Sequence, residues 1–251
     1  MEEVDLDNLM LKAKIELMTR SVFISTIALS VKHEITEAVP TAATNGIRIM
    51  YNPEFISKLT VAQLAGLIAH ECWHIAFQHL PRRGEKDPRI WNIAADYVIN
   101  LCVRKDGLDL PEGGCYDTKY DGLSSEEVYD EIYEKPPSLA GLLEDIMGEV
   151  GKDEGMTPSE VQSEVTDILV RAHTQSKIAG KSAGEVPGEI ARVIDKLLNP
   201  TIPWEILLNR FLDQRIREEY SWGRRNRRYS HAYLPSLHSY GLGHLAFAID
   251  T

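Results

Sequence analysis

The sequence predicts an α+β fold that is mostly helical, with a small β-sheet beside one central helix and a helical part toward the C-terminus. Several segments begin at capping residues and then carry apolar residues at helical spacing, which indicates amphipathic helices. One short stretch, 47–51, alternates between turn signals and is β-branched at two positions, which indicates a strand. The 251 residues, 43% of them hydrophobic, suffice for one sizeable core and leave room for a second small unit.

The central helix is predicted over residues 61–79 and carries the motif on which the functional interpretation depends. Thr60 and Gln63 form a capping box at its start. Within it lies H-E-x-x-H, formed by His70, Glu71 and His74. Residues four apart on a helix share a face, so both imidazoles can bind one metal ion while Glu71 lies close enough to act on a metal-bound water. The motif therefore predicts a zinc hydrolase, with His70 and His74 as Zn²⁺ ligands and Glu71 as the catalytic base.

A second helix, predicted from Asp87 to about Arg104, supplies the candidate for a third ligand. It is apolar over most of its circumference, but Asn92, Asp96 and Asn100 form one polar stripe at four-residue spacing. A buried carboxylate is destabilising unless it is paired or bound to a metal. We therefore interpret Asp96 as the third ligand and Asn92 or Asn100 as residues that orient the ligands. The alternative is that the stripe faces solvent.

His79 is the rival third ligand. On a straight helix it points about 180° away from His70, nine residues earlier, so it reaches the metal only if the helix breaks first. No glycine lies between His74 and His79, which favours Asp96. The oxyanion stabiliser stays open, and the long loop at 106–122 adds candidates to those elsewhere in the chain. The eligible side chains are Tyr51, Tyr97, Tyr116, Tyr120, Tyr229, His231 and Tyr233.

The remaining elements follow in order. Asp5 or Asp7 caps a first helix, which either ends near Met18 or continues, bent, to Leu29. Residues 31–39 have partial strand character, 40–46 form a turn, and 47–51 form the strand before the central helix. That strand either borders a cleft, where an extended substrate adds as another strand, or is an ordinary half-buried strand.

The chain divides into four predicted parts. Residues 1–135 form the metallopeptidase core, which closes with a short helix ending near Glu134. Residues 136–156 form a variable linker with a candidate helix at 139–148. Residues 157–244 form a helical part that packs on the core, with helices at 157–179, 189–198 and 204–219. Residues 245–251 begin with an apolar run typical of a buried strand.

Composition limits the partners and the compartment. The net charge of −11 argues against a general nucleic-acid binder, and the local exception, Arg224 to Arg228, is more typical of a solvated or ion-paired segment. No apolar run reaches eighteen residues, and the acidic start does not resemble a secretory signal. Three cysteines without C-x-x-C spacing indicate a reducing, cytoplasmic location. The expected partner is a peptide or protein substrate, with no membrane and no nucleic acid.

Several segments together resemble one known family. They occur in a single order along the chain: Pro40–Gly46, Tyr51–Phe55, His70–His79, Trp91–Asn100 and Ser221–Arg228. They resemble predicted bacterial and phage metallopeptidases that carry a von Willebrand A-like domain at the C-terminus. The resemblance implies a zincin-like core and a MoxR-type AAA+ ATPase as partner. It also implies that 245–251 are the stub of a truncated von Willebrand A-like domain whose metal site lies outside this chain. In gluzincins the third ligand comes from a downstream helix, often as E-x-x-x-D, and Asp96 with Asn100 resembles a variant of that pattern.

Peptide hydrolysis is the leading interpretation of the sequence. The rival is a non-catalytic metal-binding adaptor that works with a MoxR-type ATPase, in which the metal is structural or absent. A metal bound only by protein atoms, for example with His79 as fourth ligand, would favour the adaptor. A hydrolase linked to nucleic acid through Arg224 to Arg228 is the weakest interpretation, given the overall charge.

Overall fold

The computed structural model describes residues 5–111, 113–134, 156–180, 187, 188, 190, 192, 194, 195, 208, 219–225 and 233–238. The chain forms two compact units, Met1–Leu198 and Asn199–Thr251. The first unit contains helices and a three-stranded sheet, and the second contains a two-stranded sheet. This arrangement agrees with an α+β class that is mostly helical.

The first unit begins with two separate helices, where the sequence allowed either one short helix or one bent helix that continues to Leu29. Helix α1 spans Leu6–Arg20 and α2 spans Val22–Ser30. Ser21 between them has extended backbone angles, φ −141° and ψ 115°, and its side chain accepts a hydrogen bond from the Ile24 amide. The serine thus ends one helix and caps the next, which is how a short apolar segment such as α2 can begin at a new angle.

The sheet consists of β1 (Lys32–Ile35), β2 (Ala42–Thr44) and β3 (Arg48–Tyr51) in the order β1-β3-β2. Strand β3 pairs in parallel with β1 and antiparallel with β2. The predicted strand is therefore central and cannot accept a further strand, so the interpretation of 47–51 as the border of a cleft is wrong. Strand β2 lies at one edge of the sheet, in a stretch where the sequence predicted only a turn. Its three residues include two alanines, which carry little strand signal.

The central helix α4 spans Val61–Ala76 and has the predicted capping box between Thr60 and Gln63. It ends three residues before the predicted end because Gln78 adopts a left-handed conformation, with φ 54° and ψ 41°. Short helices flank it, α3 (Pro53–Ile56) before and α5 (His79–Arg83) after.

Helix α6 spans Pro88–Lys105, with Asp87 accepting hydrogen bonds from two amides of its first turn. Helix α4 packs against α1, α2 and α6, so it lies at the centre of the first unit. Almost all of its residues from Leu64 onward are buried. Among the described helices, none is both long enough and apolar enough to cross a lipid bilayer.

The rest of the described chain consists of a 3₁₀ turn at Thr118–Tyr120, helix α7 (Ser125–Glu134), helix α8 (Pro158–Ile178), and strands β4 (Glu219–Arg225) and β5 (Pro235–His238). Helix α8 packs against α2. Strands β4 and β5 pair antiparallel in a region where the sequence named no strand.

Several predicted features lie outside the described residues. They are the linker up to residue 155 with its candidate helix at 139–148, most of the helices at 189–198 and 204–219, residues 226–228, Tyr229, His231 and the stub at 245–251.

A close backbone contact fixes the loop after α6 against α4. A Cβ atom at Gly66 would lie 1.7 Å from the Asp109 carbonyl oxygen. Because backbone cannot yield as a flexible side chain does, we expect Gly66→Ala to lower the free energy of unfolding by about 1–3 kcal/mol. Urea denaturation would measure the change. Gly188→Ala is the matched control, since a Cβ there meets no atom of the described residues within 4 Å. Equal stability of both variants would contradict the contact between Gly66 and Asp109.

Candidate metal centre

Helices α4 and α6 bring three potential metal ligands together. The Nε2 atoms of His70 and His74 lie 3.0 Å apart. Asp96 Oδ1 lies 3.3 Å from Nε2 of His74 and 3.5 Å from Nε2 of His70. All three side chains are buried. The structure thus places in one cluster the three residues that the sequence predicted as ligands. This cluster could hold a metal ion.

The spacing of the donor atoms fits a single cation. Tetrahedral zinc binds nitrogen and oxygen at about 2.0–2.2 Å, which places neighbouring ligand atoms about 3.3–3.5 Å apart. The three observed separations, 3.0, 3.3 and 3.5 Å, lie close to that value. One ion can therefore contact all three donors without rearrangement of either helix, and within the described residues the cluster of potential ligands consists of these three side chains.

Asp96 carries the charge that such a site needs. Burial by itself would raise the pKa of Asp96, but the two imidazoles that face its carboxylate, those of His70 and His74, outweigh burial and hold the pKa below its usual value. The side chain is therefore a carboxylate at neutral pH. It reaches the histidines because α6 packs closely on α4, with the small residues Ala94 and Ala95 both fully buried beside Asp96.

The tautomer of His70 is fixed by Asn100. The side-chain amide of Asn100 donates to the Cys115 carbonyl at 2.7 Å, which leaves its Oδ1 to face His70 Nδ1 at 2.8 Å. Since an amide oxygen only accepts, His70 Nδ1 carries the proton and Nε2 presents its lone pair to the metal position. Asn100 thus takes the orienting position that the sequence proposed for Asn92 or Asn100. Asn92 is buried one turn before Asp96 on α6.

We expect the contact between Asn100 and His70 to affect metal affinity. Asn100→Leu keeps the approximate volume but removes the acceptor, so zinc affinity should fall about 10–100-fold. Competition titration against a chelating dye would measure the affinity. Asn100→Asp is the control, because it retains an oxygen that His70 Nδ1 can reach. Equal zinc affinity of Asn100→Leu and the wild-type protein would show that the contact does not orient the ligand.

His79, the rival ligand, contacts the outer nitrogen of His74 instead of the metal position. Its Nδ1 lies 3.2 Å from Nδ1 of His74, and its Nε2 lies 2.8 Å from the hydroxyl of Ser125. Burial, followed by the charges of His74 and Arg82, lowers the pKa of His79 well below its usual value, so the ring is neutral. A neutral His79 can accept from His74 Nδ1–H, which leaves His74 Nε2 free to bind metal.

The expectation that α4 continues unbroken to His79, because no glycine lies between His74 and His79, was wrong. Gln78 ends the helix in a left-handed conformation that non-glycine residues adopt uncommonly. The break brings the His79 ring back toward His74. Ser125, which completes the contact from α7, had no signal in the sequence beyond its place next to Ser124, which forms a capping box with Glu127.

Glu71 is fully buried and lines a cavity of about 50 Å³. His70, Asp96 and Asn100 line the same cavity, and the loop after α6 contributes Leu110 and Pro111 to its lining. A water molecule occupies about 30 Å³ in the liquid, so the cavity can hold solvent next to the side chains of His70 and Asp96. The predicted base thus lines the same cavity as two of the three proposed ligands.

The four described tyrosines of the core that were candidates for an oxyanion stabiliser are not among the residues that line the small cavity beside Glu71. Tyr51 donates its hydroxyl to His33 Nδ1 at 3.0 Å, because His33 Nε2 contacts the Ala28 carbonyl oxygen at 2.6 Å and must carry the ring proton. Burial, with Cys72 and Glu71 nearby, raises the pKa of Tyr51 well above its usual value. The other three do not line the described cavity beside Glu71: Tyr97 and Tyr120 pack on each other, and Tyr116 is half exposed near Arg104.

The pKa of His33 gives a testable pH dependence. Burial lowers it from the ordinary value of 6.5, and the charge of Lys14 adds to the effect. The unfolded chain therefore binds a proton at His33 more readily than the folded chain, so stability should fall as the pH drops below about 6.5. Denaturation midpoints between pH 7.5 and 5 would show a smaller decrease for His33→Gln than for the wild-type protein. Parallel curves for the two proteins would contradict the role of His33.

Comparison with known proteins identifies the class defined by this fold and site. Residues 8–238 match the model of a family described as "Putative metallopeptidase domain". Because the match covers most of the chain, the protein belongs to that family. It is also 26% identical over 234 residues to an uncharacterized protein of Thermotoga maritima, a match that covers 84% of this chain and 58% of the relative. No solved structure matches the chain.

Proposed function

We propose that the protein hydrolyses peptide bonds with a zinc ion held by His70, His74 and Asp96 and with Glu71 as the catalytic base. The observation that carries the proposal is the cluster itself: three donor atoms within 3.5 Å of one another, beside a buried carboxylate and a cavity of solvent size. Membership of a family described as metallopeptidase-like supports the same reaction class.

The donor set favours zinc over the metals that prefer oxygen. Two imidazole nitrogens and one carboxylate are typical of catalytic zinc, in which three protein ligands leave the fourth position open. Magnesium and calcium favour sites built from oxygen alone. The same ligands bind ferrous iron in oxygenases. Glu71 favours hydrolysis over oxygen chemistry, because a buried carboxylate next to the metal position serves proton transfer.

The residues of the chain divide the proposed reaction between them. When bound, zinc lowers the pKa of a water molecule toward about 7 and polarises a substrate carbonyl. Glu71 accepts the proton of the attacking water and passes it to the nitrogen of the leaving amine. Asn100 holds the His70 ring, and His79 holds the His74 ring, so both present Nε2 to the metal.

The position of His79 bears on the rival adaptor interpretation. A structural zinc site is closed by four protein ligands, and His79 was the candidate for the fourth. Both of its ring nitrogens contact other side chains, His74 Nδ1 and Ser125 Oγ. Within the described residues, the cluster of potential ligands consists of His70, His74 and Asp96. An open fourth position supports hydrolysis over a purely structural role.

Metal removal and replacement would test the proposal. We expect the purified protein to contain about one zinc per chain and to cleave a quenched fluorescent peptide library. A strong zinc chelator should abolish the cleavage, and added Zn²⁺ should restore it. Cleavage that survives complete metal removal would overturn the metal mechanism. Stoichiometric zinc without cleavage of any peptide in the library would favour the adaptor.

A further inference from the structure

A second, larger cavity lies against the metal centre. It has a volume of about 670 Å³ and is formed by the turn between β2 and β3, the junction of α4 and α5, and the start of α8. His74 contributes to its wall, so the cavity adjoins a proposed metal ligand. Strand β2 connects the two cavities, since Thr41 just before it lines the small one and Thr44 at its end lines the large one.

Specific contacts shape the walls of this cavity. Gln162 on α8 donates its side-chain amide to the side-chain oxygen of Gln78 at 3.0 Å, which ties α8 to the break after α4. Gly46 in the turn has φ 101°, and a Cβ there would lie 3.3 Å from a methyl carbon of Val165. The turn and α8 are therefore in close contact, and the cavity is a built feature of the first unit.

The lining of the cavity is mostly apolar with one cation. Ile75, Leu80 and Val161 are among its apolar residues. Arg83 is the one lysine or arginine among the described lining residues, and no aspartate or glutamate is among them. The described part of the chain also provides no ion pair for half-buried Arg83. An arginine beside an apolar wall is suited to bind a carboxylate attached to an apolar group.

We propose that this cavity binds the part of the substrate next to the cleaved bond and selects an apolar side chain close to a carboxylate. This inference rests on the proposed hydrolytic function. His70 and His74 are one helical turn apart, about 6 Å along α4, which is the length of about two residues of extended peptide. A peptide bond placed beside Glu71 therefore has its neighbouring residues within reach of the larger cavity. The carboxylate belongs either to an acidic side chain or to a free C-terminus.

Small probes can test this preference without any cleavage. Acetyl-leucine carries a terminal carboxylate, acetyl-Leu-Asp-amide carries a side-chain carboxylate, and acetyl-leucinamide carries neither. Ligand-observed NMR titrations on metal-free protein would measure their affinities without direct binding of the carboxylate to zinc. We expect at least one carboxylate probe to bind about tenfold more tightly than the amide, as one charged contact would give. The tighter of the two identifies the source of the carboxylate.

Two variants with matched controls complete the test. Arg83→Glu should abolish the preference for carboxylate, whereas Arg171→Glu, an exposed position on α8, should keep it. Val161→Phe should narrow the cavity and weaken all three probes about tenfold, whereas Val170→Phe, half-buried on the same helix outside the cavity, should not. Thermal unfolding would check that each variant folds. If Val161→Phe fails to fold, Arg83→Glu still tests the proposal.

The possible outcomes separate this inference from the proposed function. Equal binding of the three probes to wild-type protein, or an unchanged preference in Arg83→Glu, would overturn the inference while zinc-dependent cleavage persists. A preference that depends on Arg83 in a protein that cleaves no peptide would instead overturn the proposed function, and with it the role of the cavity as a substrate site.

Discussion

Replacing Glu71 by glutamine should leave zinc bound and lower the rate of peptide cleavage about 10²–10⁴-fold. Glutamine has the shape of glutamate but cannot accept the proton of the attacking water. The side chain is fully buried and lines the cavity beside the metal position, so no other described carboxylate in that cavity except the proposed ligand Asp96 could replace it. Metal analysis and cleavage of the fluorescent peptide library on the same preparation would measure both quantities.

The matched control for Glu71→Gln is Glu164→Gln, an exposed position on α8. Glu164 is not among the residues that line either cavity, so the same loss of charge there should leave cleavage unchanged. Circular dichroism and thermal unfolding would verify that both variants fold. Undiminished cleavage in a zinc-loaded Glu71→Gln protein would mean that another group is the base.

Removal of the Asp96 carboxylate should have the second large effect. Asp96→Asn keeps the shape of the side chain but loses the negative charge that pairs with both histidine rings. We expect zinc affinity to fall at least about 100-fold, because loss of a direct ligand exceeds the 10–100-fold effect of losing an orienting contact. Zinc should also raise the melting temperature of the wild-type protein much more than that of the variant.

Asp130→Asn is the control for that experiment, since Asp130 is exposed on α7. Competition with a chelator of known affinity would measure zinc binding for the three proteins. If Asp96→Asn binds zinc as tightly as the wild-type protein, then Asp96 is not a ligand, and the cluster in the structure is only a buried set of hydrogen-bonding groups.

The parts of the site that could be predicted from sequence depend on local geometry. His70 and His74 are four residues apart on a well-capped helix, so their shared face follows from helical periodicity alone. Asp96 required a further step, because its partner helix is distant in sequence. The polar stripe on an otherwise apolar helix supplied it, and the structure shows Asp96 and Asn100 buried on that stripe.

The missed features depend on tertiary contacts. Gln78 ends α4 in a left-handed conformation, which turns His79 toward His74 and Ser125. Nothing in the local sequence marks a glutamine for that conformation. Strand β2 was missed for a similar reason, since Ala42-Ala43-Thr44 has weak intrinsic preference and forms a strand because β3 provides a partner.

The central claim is that His70, His74 and Asp96 bind zinc, and it is tested most directly by determining the set of ligands around the bound ion. X-ray absorption spectroscopy at the zinc edge, with a crystal structure of the zinc-loaded protein, would determine it. We expect two imidazole nitrogens, from His70 and His74, one oxygen from Asp96 and one oxygen from solvent, at about 2.0–2.2 Å. Zinc closed by four protein ligands that include His79, or zinc bound away from Asp96, would contradict the account.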